Sequence, residues 1–581
     1  MNEETTSRKP QPAERVARPA GRTDGGGLRY VTRLTPACQR EPVYLNYEIL
    51  KVLPVVFVPG IMGSNLRSTD NRPVWRLDST AGQPARLALD KANADAGARQ
   101  IELHPDTTLV DDRGNVPGEL VGSIHCTQEY RDRGWGEIGE GSYHAWLMLL
   151  EELLNDHRSG NAGAKRVGHH LAALMKLRPE GGEREAPWGA VRDFTALNAK
   201  EIQAMDGWFM PVYACGYNWL QDNKRSAEHL ARRIGQIIAR HHDGRNSFCK
   251  QVVLVTHSMG GLVARYCATQ VAGMNERIAG VVHGVMPANG AAVAYRRCKV
   301  GMWDEDRLAS LVIGQTGQET TAVFAQSPGA LELLPTQNYT PRWLELQKPD
   351  GATVEQALPE RDPYKEIYAN RDHWWGLVKE EWLAPKDGQP IEWEQYLRQL
   401  QKAQDFHAAL TPTAYHANTY AFYGADDKAA KTPSFERVVW RMQPGMFQPV
   451  STPGARASAA PTPEQVYDMT PQQIRMDGTN PEFVGGIPNQ RVRDRVFNTS
   501  YWELPASMQD GTGDGTVPGS SGRAPADCDK VKQMFRLIGV VHEPAYQHTT
   551  AQQVTVYSLV RIVQQALTPF PSPGNTTESK Q

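Results

Sequence analysis

Short apolar runs alternate with stretches of helical spacing along most of the chain. The runs are apolar at successive positions, so both faces of each predicted strand are buried, as in a parallel sheet. The stretches between them are typical of helices that cover such a sheet, which predicts an α/β fold with a mostly parallel sheet and helices on both faces. The predicted strands are PVVFV, WFMPVYAC, QVVLVT, IAGVVHGV, NTYAFYG and FRLIGVV, which begin at Pro54, Trp208, Gln251, Ile278, Asn418 and Phe535.

Residues 300–415 depart from this rhythm and carry two Trp-rich helical patterns. One interpretation is a helical insertion whose apolar stripes pack on the core. The other is a cap over an active site, with aromatic side chains that meet lipid. The first pattern comprises Trp374, Trp375, Val378 and Trp382; the second comprises Trp393, Tyr396, Leu397, Leu400, Ala403, Phe406 and Leu410.

The Trp-rich segment divides the predicted core into two parts. The polar tails at both ends are rich in Pro, Gly and Ser, and we predict that they are disordered. The predicted organisation is a tail at 1–28, a first core part at 29–299 with surface insertions at about 67–140 and 160–200, the cap at 300–415, a second core part at 416–568 and a tail at 569–581.

Composition and charge exclude several classes of function. The 581 residues include 63 Lys and Arg against 65 Asp and Glu, a net charge of −2, so the chain lacks the basic surplus of a nucleic-acid-binding protein. Hydrophobic residues make up 40% and charged residues 22%, which is typical of a folded soluble protein. No apolar run reaches the ~18 residues of a membrane span, and the N-terminus lacks the apolar region of a signal peptide. We therefore expect synthesis in the cytoplasm and, if the protein is secreted or injected to act at a target-cell envelope, a route that reads no signal peptide.

The segment QVVLVTHSMGGLVAR contains the candidate nucleophile. Val252 to Val255 predict a buried strand, a helix pattern starts at Gly261, and Ser258 lies in the tight turn between them. A serine at such a turn is raised clear of the backbone at a helix N-terminus, where free N–H groups favour a developing oxyanion. The alternative is a structural turn in which Ser258 only caps the helix. We interpret the neighbouring His257 as structural.

A serine hydroxyl is a poor nucleophile until a base takes its proton, and the base needs an acid to orient it. With a strand–turn–helix serine, the acid and then the histidine follow downstream. His542 directly follows the predicted strand FRLIGVV, and His548 lies next to the helix pattern beyond it. We favour His542, because a side chain at the end of a strand is held more firmly than one further along a loop.

Two sites compete for the acid. Asp426 and Asp427 follow the strand NTYAFYG, whereas Asp514 lies in the Gly-rich stretch DGTGDGTVP, 28 positions before His542. The short range to the base and the glycines that permit a tight turn favour Asp514. The alternative for this stretch is an ordinary solvated turn.

We expect no cofactor and no metal. The seven cysteines are scattered without a C-x-x-C pair, which predicts neither a disulfide framework nor a zinc site. One alternative stays open, a calcium loop that uses Asp510 and Asp514.

Two main-chain N–H groups are predicted to form an oxyanion hole. The strand PVVFV ends in the loop PGIMGS, where glycines let the backbone approach the reacting centre. We assign the donors to Ile61 in this loop and to Met259 after the serine. The alternative is an ordinary turn at the end of a strand.

Together these segments resemble the lecithin:cholesterol acyltransferase-like branch of the α/β-hydrolases. The resemblance implies an α/β-hydrolase fold with Ser258 as nucleophile, Asp514 as acid and Ile61 at the oxyanion hole, although Thr256 stands where the family has glycine. The matching segments are VVFVPGIMGSNL, YNWL, THSMGGLVAR, YGADDKAAKT and GDGTVP.

Two further segments resemble a narrower group. HGVMPANGAAVAYRR, from His283, and HEPAY, from His542, are similar to lipase effectors of bacterial type VI secretion, in particular their third class. The resemblance implies a phospholipase injected into competing bacteria, an immunity protein that inhibits it and a carrier on the secretion apparatus. It covers about 45–300 and 415–565 and leaves the cap nearly unmatched.

The sequence thus predicts a serine hydrolase that cleaves carboxylic esters of membrane phospholipids, as a phospholipase A-type lipase. Ser258 attacks the carbonyl, His542 takes and returns the proton, and Asp514 holds His542 in the correct tautomer. Three alternatives stay open: acyl transfer to an alcohol, hydrolysis of non-lipid esters, and a non-catalytic binding module on the same fold.

Overall fold

A computed structural model describes most of the predicted core. Most of the two tails that we predict to be disordered lies outside the described residues. The described residues are 50–76, 94–118, 127–155, 187–205, 207–243, 247–302, 305, 314–427, 432–445, 461–471, 473 and 500–569, with short strands at 16–17, 19–22, 28–30, 44–45, 482–484 and 487–493.

Six parallel strands form the central sheet: β1 (Val55–Val58), β2 (Val212–Ala214), β3 (Val252–His257), β4 (Ile278–Gly284), β5 (Thr419–Gly424) and β6 (Val531–Leu537). Their spatial order is β2-β1-β3-β4-β5-β6, and every neighbouring pair is parallel. Strands β1, β3 and β4 are buried at each position. This double-sided burial explains their continuous aliphatic sequences. The predicted α/β class with a parallel sheet is confirmed.

Seven helices of eight residues or more lie in the described ranges: α1 (Glu140–Asn155), α2 (Asn223–His241), α3 (Met259–Gln270), α4 (Ala292–Val300), α5 (Gly317–Phe324), α6 (Trp393–Ala409) and α7 (Thr549–Val563). Shorter α-helices are Ala96–Glu102, Thr127–Asp132, Ala199–Met205, Met274–Arg277, Pro328–Leu331, Pro463–Tyr467 and Gly519–Arg523. Single 3-10 turns are Trp135–Glu137, Pro187–Gly189, Glu380–Leu383, Ala524–Asp527 and Ala545–Gln547, and a π-helical turn spans Tyr364–Tyr368. Within these ranges no helix is both long enough and apolar enough to cross a bilayer.

The two faces of the sheet carry separate cores. Successive strand residues point to opposite faces, so Val56 belongs to one cluster of buried side chains and its neighbour Val55 to the other. Helices α2 and α3 contribute Leu230 and Val263 to the first cluster. Helices α1 and α7 contribute buried leucines to the second cluster. The sheet is therefore covered by helices on both sides, as predicted.

Small sheets surround the central one. Their strands are Leu50–Val52 with Trp208–Phe209 and Ser247–Phe248; Leu66–Ser68 with Pro73–Trp75 and Thr108–Val110; Leu344–Gln347 with Val354–Leu358 and Val438–Arg441; Gln443–Pro444, Ser500–Pro505, Ile487–Arg493 and Glu482–Val484; Val16–Ala17 with Tyr44–Leu45; and Pro19–Arg22 with Leu28–Tyr30. The five described cysteines are buried.

The predicted strand that begins at Trp208 is split in two. Its first part, Trp208–Phe209, pairs with Leu50–Val52 outside the central sheet, and its second part is β2. Pro211 lies between them, and proline has no N–H to continue a ladder. Its carbonyl still accepts from Val55 at 3.0 Å, so the chain passes from one sheet to the other without a break in contact with its neighbours.

The edge strand β6 is displaced from its predicted position. The prediction ran from Phe535 to Val541, but the observed strand begins and ends four residues earlier. At the sheet edge, the first half of β6 exposes Lys532, and this polar position interrupts the continuous apolar run on which the prediction depended. Gly539, at φ 77°, turns the chain after the strand.

The first Trp-rich pattern of the cap does not form the predicted α-helix. After the π-helical turn, residues 370–379 form bends and turns. The carbonyls of Trp374 and Gly376 accept hydrogen bonds from the buried Lys299 ammonium at 2.6 and 2.7 Å. These carbonyls bind the core cation in place of the N–H groups that a helix would offer them, which explains the difference.

The second Trp-rich pattern forms helix α6, as predicted, and the apolar stripe faces inward. The tryptophans at positions 374, 375, 382 and 393 are all buried, with at most 7% exposed. The insertion therefore packs its aromatic stripes on the core. The interpretation that these side chains meet lipid is wrong for this structure. The division of the chain at residues 300 and 415 stays a prediction.

Candidate active site

Ser258 lies at the sharp turn between β3 and α3, where the sequence placed it. Its φ of 51° and ψ of −125° lie outside the regions that side-chain-bearing residues prefer, which costs of order 1–3 kcal/mol. Its N–H donates to the carbonyl of Gly284 at 2.9 Å and holds the turn. A Cβ at Gly260 would collide with the carbonyl oxygens of Val58 and Pro59, so the turn needs that glycine. The serine side chain caps no N–H of the helix, so the capping interpretation is wrong.

Ser258, His542 and Asp514 form a continuous row of hydrogen bonds. Ser258 Oγ lies 2.8 Å from His542 Nε2, and His542 Nδ1 lies 2.8 Å from Asp514 Oδ2. Because an ionised carboxylate only accepts, Nδ1 carries the proton and Nε2 is free to accept from the serine. The second oxygen of Asp514 accepts from the N–H groups of Thr516 at 3.0 Å and Val517 at 2.7 Å. The carboxylate is thus aimed by its own loop, and its side chain is only 1% exposed.

His542 meets the serine, but not from the end of a strand. It follows Leu537, the last residue of β6, by five positions, so our reason for preferring it over His548 was wrong. Its main chain is held instead by its neighbours in the site. Its N–H donates to the carbonyl of Asp514 at 2.9 Å, and its carbonyl accepts from His257 Nε2 at 2.8 Å. These bonds replace the rigidity that a strand would have supplied.

His257 supports the base and stays neutral. Its ring is buried, and burial together with the neighbouring His542 lowers its pKa to about 3. Since Nε2 donates to the His542 carbonyl, Nδ1 is the acceptor, and it takes a hydrogen bond from the Tyr143 hydroxyl at 3.0 Å. Thr256, one position earlier, is accommodated because its hydroxyl bonds to His283 Nδ1 at 3.0 Å across β3 and β4.

The rival acid and base candidates lie elsewhere. Asp426 is buried, and its carboxylate accepts from the N–H of Gly539 at 2.6 Å and from the hydroxyl of Thr432 at 2.6 Å. It therefore binds loop backbone and not an imidazole. Asp427 is exposed. His548 is at the start of α7, and no hydrogen bond among the described residues joins it to the serine.

The two carboxylates of the calcium alternative have protein partners. Asp510 accepts from the N–H groups of Glu436 at 2.9 Å and Arg437 at 3.1 Å, and from the Arg437 guanidinium at 3.1 Å. Asp514 binds the base. In the described part of the chain, no cluster of three or more His, Cys, Asp or Glu side chains has the spacing of a metal site. Whether the protein uses a metal stays a prediction.

The two predicted oxyanion donors have no hydrogen-bond partner among the described residues. They are the main-chain N–H groups of Ile61 and Met259. The loop that carries Ile61 is braced by Trp75, whose indole N–H donates to the carbonyl of Met62 at 2.7 Å. Both N–H groups are thus available as donors, as the predicted oxyanion hole requires.

The sequence did not predict two supporting contacts. Tyr143 was not recognised at all, and Asp426 was considered only as a candidate acid and not as a residue that holds the loops together. Tyr143 lies on α1 and reaches both the Ile61 loop and His257. Its sequence context is an ordinary amphipathic helix, so no motif marks it. Asp426 carried a signal, since it follows a sheet strand, but that position alone cannot distinguish a catalytic acid from a loop clamp.

Comparison with known proteins shows an α/β-hydrolase fold. Residues 212–305, which contain Ser258, match the family model of the PGAP1-like alpha/beta domain. The chain is also similar to one chain in the crystal structure of the Tle4–Tli4 complex, with a TM-score of 0.69 and 28% sequence identity over 90% of this chain and 100% of that one. No curated protein matches significantly.

These matches confirm two expectations from the motifs, the α/β-hydrolase fold and the likeness to type VI lipase effectors. We expected the third class of these lipase effectors. The matched structure is named Tle4, and it does not establish that class, which stays a prediction. Since the match spans 90% of the chain, it extends into the cap that the motifs left unmatched.

Proposed function

We propose that this protein is a serine hydrolase that cleaves the acyl esters of phospholipids. The observation that supports it most directly is the pair of 2.8 Å distances that joins Ser258 to His542 and His542 to Asp514. A buried carboxylate, an imidazole and a hydroxyl in this order form the arrangement that activates a serine nucleophile.

In the first half of the reaction, His542 Nε2 accepts the proton of Ser258 as Oγ attacks the ester carbonyl. Asp514 stabilises the resulting imidazolium through Nδ1–H. The carbonyl oxygen becomes an oxyanion between the N–H groups of Ile61 and Met259, each contributing about 3 kcal/mol to the stabilisation of the transition state. His542 then gives its proton to the departing alcohol, and the acyl group stays on Ser258.

In the second half, a water molecule releases the acyl group. His542 takes a proton from the water as it attacks, and the proton returns to Ser258 Oγ as the acyl bond breaks. An alcohol in place of water would give acyl transfer. Product analysis with a supplied acceptor alcohol separates the two outcomes, since ester product in excess of free fatty acid identifies a transferase.

The nucleophile is tested with Ser258→Ala. The variant should fold, lose hydrolysis of a short-chain ester, and no longer react with a fluorophosphonate probe. A matched control is Ser558→Ala in α7, which also removes a buried hydroxyl, one that bonds the Val554 carbonyl at 2.6 Å. Substantial turnover in Ser258→Ala would remove Ser258 from the role. A wild-type protein that neither turns over nor labels would favour a non-catalytic binding module.

Lipid as the substrate is supported by the loop that leads into His542. Ile538 is 54% exposed and Val541 is 43% exposed, whereas Val540 between them is fully buried. The loop is fixed, because the N–H of Gly539 is bound by a buried carboxylate at 2.6 Å. Two apolar side chains are therefore held in solvent beside the catalytic base. We propose that residues 538–541, and not the buried aromatic side chains of the cap, contact the lipid surface.

Vesicles of phosphatidylethanolamine and phosphatidylglycerol test this contact. Ile538→Asp should weaken vesicle binding about fivefold or more and slow hydrolysis of the vesicle lipid. Leu567→Asp is the control, because Leu567 is 53% exposed but its N–H binds Gln251, next to the amino end of β3 and opposite the catalytic edge. Equal losses in the two variants, or no loss in either, would contradict the proposed surface. Turnover of soluble esters without any of vesicle lipid would identify a non-lipid esterase.

We further propose that the protein is an antibacterial effector delivered by type VI secretion and inhibited by an immunity protein. Its similarity to a structure solved as a complex of two proteins, Tle4 and Tli4, supports a binding partner. Production directed to the periplasm of a bacterial host should stop growth, and production of Ser258→Ala should not. Coproduction of the protein encoded next to this one should restore growth. Equal toxicity of the wild type and the variant would contradict a lipase toxin.

A further inference from the structure

Gly60 stands where the loop after β1 passes closest to the nucleophile. A Cβ at this position would lie 2.8 Å from His257 Nδ1 and 3.1 Å from Ser258 Cβ, so a larger residue would displace both. Glycine is also the residue with the greatest backbone freedom. The next residue, Ile61, carries an N–H of the proposed oxyanion hole, and its direction must therefore be set by contacts from outside the glycine.

Hydrogen bonds restrain both peptide groups of Gly60. Its carbonyl accepts from the N–H of Gly63 at 3.0 Å. This carbonyl shares a peptide plane with the N–H of Ile61, so fixing one fixes the direction of the other. On the other side, the N–H of Gly60 donates to the Tyr143 hydroxyl at 3.3 Å. The two soft torsions of the glycine lie between these two anchored planes.

The single proton of the Tyr143 hydroxyl extends this restraint to the base. The hydroxyl oxygen accepts from Gly60, and its proton goes to Nδ1 of His257, 3.0 Å away. His257 in turn donates from Nε2 to the carbonyl of His542 at 2.8 Å. Three hydrogen bonds in series therefore join the oxyanion loop to the main chain of the catalytic histidine.

Tyr143 is itself placed with little freedom. It lies in the first turn of α1, is 3% exposed, and packs its ring 5.0 Å from that of Phe57 in β1. A Cβ at Gly63 would lie 2.6 Å from the hydroxyl, so the loop is shaped around this oxygen. A tyrosine that only filled the core would need one acceptor, whereas this one joins three separate segments of the chain.

From these contacts we infer that Tyr143 is a positioning residue of the active site. It orients the oxyanion donor of Ile61 through Gly60 and holds the main chain of His542 through His257. The inference rests on the proposed function, because the direction of the Ile61 N–H matters only if Ser258 attacks an ester.

The test is Tyr143→Phe, which removes only the hydroxyl. On a soluble short-chain ester, kcat should fall on the order of 30-fold, with KM within about twofold, because a misdirected donor weakens the transition state more than the bound substrate. Tyr557→Phe is the matched control. Its buried hydroxyl bonds the carbonyl of Thr195 at 2.8 Å, in a separate aromatic cluster with Phe194 and Phe535, and its kcat should stay within about twofold of wild type.

A second measurement separates positioning from loss of stability. A trifluoromethyl ketone forms a tetrahedral oxyanion on Ser258, so its inhibition constant should rise in Tyr143→Phe by the same factor as kcat/KM falls. In a Ser258→Ala background, where no oxyanion forms, Tyr143→Phe should leave the affinity for the ester unchanged. Thermal unfolding of Tyr143→Phe and Tyr557→Phe should agree within a few degrees.

The outcomes distinguish this inference from the proposed function. Wild-type turnover with unchanged kcat and ketone affinity in Tyr143→Phe overturns the positioning role alone. The same holds if kcat falls only in proportion to lost folded protein, as it would for any destabilised variant. A wild-type protein without esterase activity or probe labelling overturns the proposed function instead.

Discussion

The loops that carry Asp514 and Asp426 meet at the carboxyl edge of the central sheet, and each buries one carboxylate. An antiparallel bridge joins them, in which the N–H of Asp426 donates to the carbonyl of Gly513 at 2.9 Å and the N–H of Gly513 donates back at 2.8 Å. Their carboxylates have different partners. Asp514 faces an imidazole and two main-chain N–H groups, whereas Asp426 faces the N–H of Gly539 and the hydroxyl of Thr432.

The difference teaches that position at a strand end does not assign a catalytic acid. Asp426 lies two residues after the end of β5, yet it connects the loop of Asp514, through Gly513, to the loop that leads into His542, through Gly539. Asp514 comes from a later loop and reaches the imidazole. The donors around each carboxylate decide its role, so substitutions that replace one carboxylate oxygen by an NH₂ group should separate the two residues.

The largest effect is expected for Asp514→Asn. Two N–H groups face Oδ1, so the introduced amide must place its carbonyl there and turn its NH₂ toward His542 Nδ1. Because this NH₂ group donates to Nδ1, the proton of His542 moves to Nε2. Nε2 can then no longer accept the proton of Ser258. We expect kcat to fall on the order of 10⁴-fold, as for the equivalent change in serine proteases, measured on a soluble ester with folding checked by circular dichroism. A loss of less than tenfold would contradict Asp514 as the acid.

A smaller effect is expected for Asp426→Ala, and it should include stability. The change leaves the N–H of Gly539 and the hydroxyl of Thr432 without their buried acceptor, which costs about 3 kcal/mol in the free energy of unfolding. Because the base loop loses its anchor, kcat should also fall about tenfold. Chemical denaturation and steady-state kinetics measure both. Full activity with lowered stability would show that the contacts of Asp426 with Gly539 and Thr432 do not position His542.

A slight effect is expected for Asp426→Asn, which makes the sharpest contrast with Asp514→Asn. The Thr432 hydroxyl can accept as well as donate, so the introduced NH₂ can face it while the amide carbonyl keeps the N–H of Gly539. Turnover should stay within about threefold of wild type under the same assay. If Asp426→Asn proves more damaging than Asp514→Asn, the two carboxylates have exchanged roles.

The turn that carries Ser258 could be predicted because it places strict demands on a short piece of chain. Ser258 needs a buried strand before it and a close-packed glycine after it. Both requirements fall within ten residues, so the sequence there is recognisable. Asp514 was recognised in the same way, from glycines that permit its turn. The structure brings His542 to Ser258, as predicted, but our reason was wrong, since its support comes from Asp514 and His257 and not from the end of β6.

Other features could not be predicted because they depend on contacts distant in sequence. Tyr143 contributes from a helix 114 positions before His257 and has the spacing of any core residue. The pattern around Trp374 has helical spacing, but the buried Lys299 of α4 donates hydrogen bonds to the carbonyls of Trp374 and Gly376. In both places the competing partner lies in another element, and local periodicity carries no information about it.

The smallest effect concerns Asp510, which precedes Asp514 in the same loop. Its carboxylate accepts three hydrogen bonds, two from main-chain N–H groups and one from the Arg437 guanidinium, whose positive charge already lies where a cation would bind. A calcium ion would have to displace that guanidinium, and the neighbouring Asp514 could join it only by releasing His542. We therefore expect EDTA to leave kcat within about 20% of its value, and millimolar calcium to leave the thermal midpoint unchanged. Loss of activity in EDTA that calcium restores would instead establish the metal, and would mean that the row of hydrogen bonds through Asp514 is assembled differently in the working enzyme.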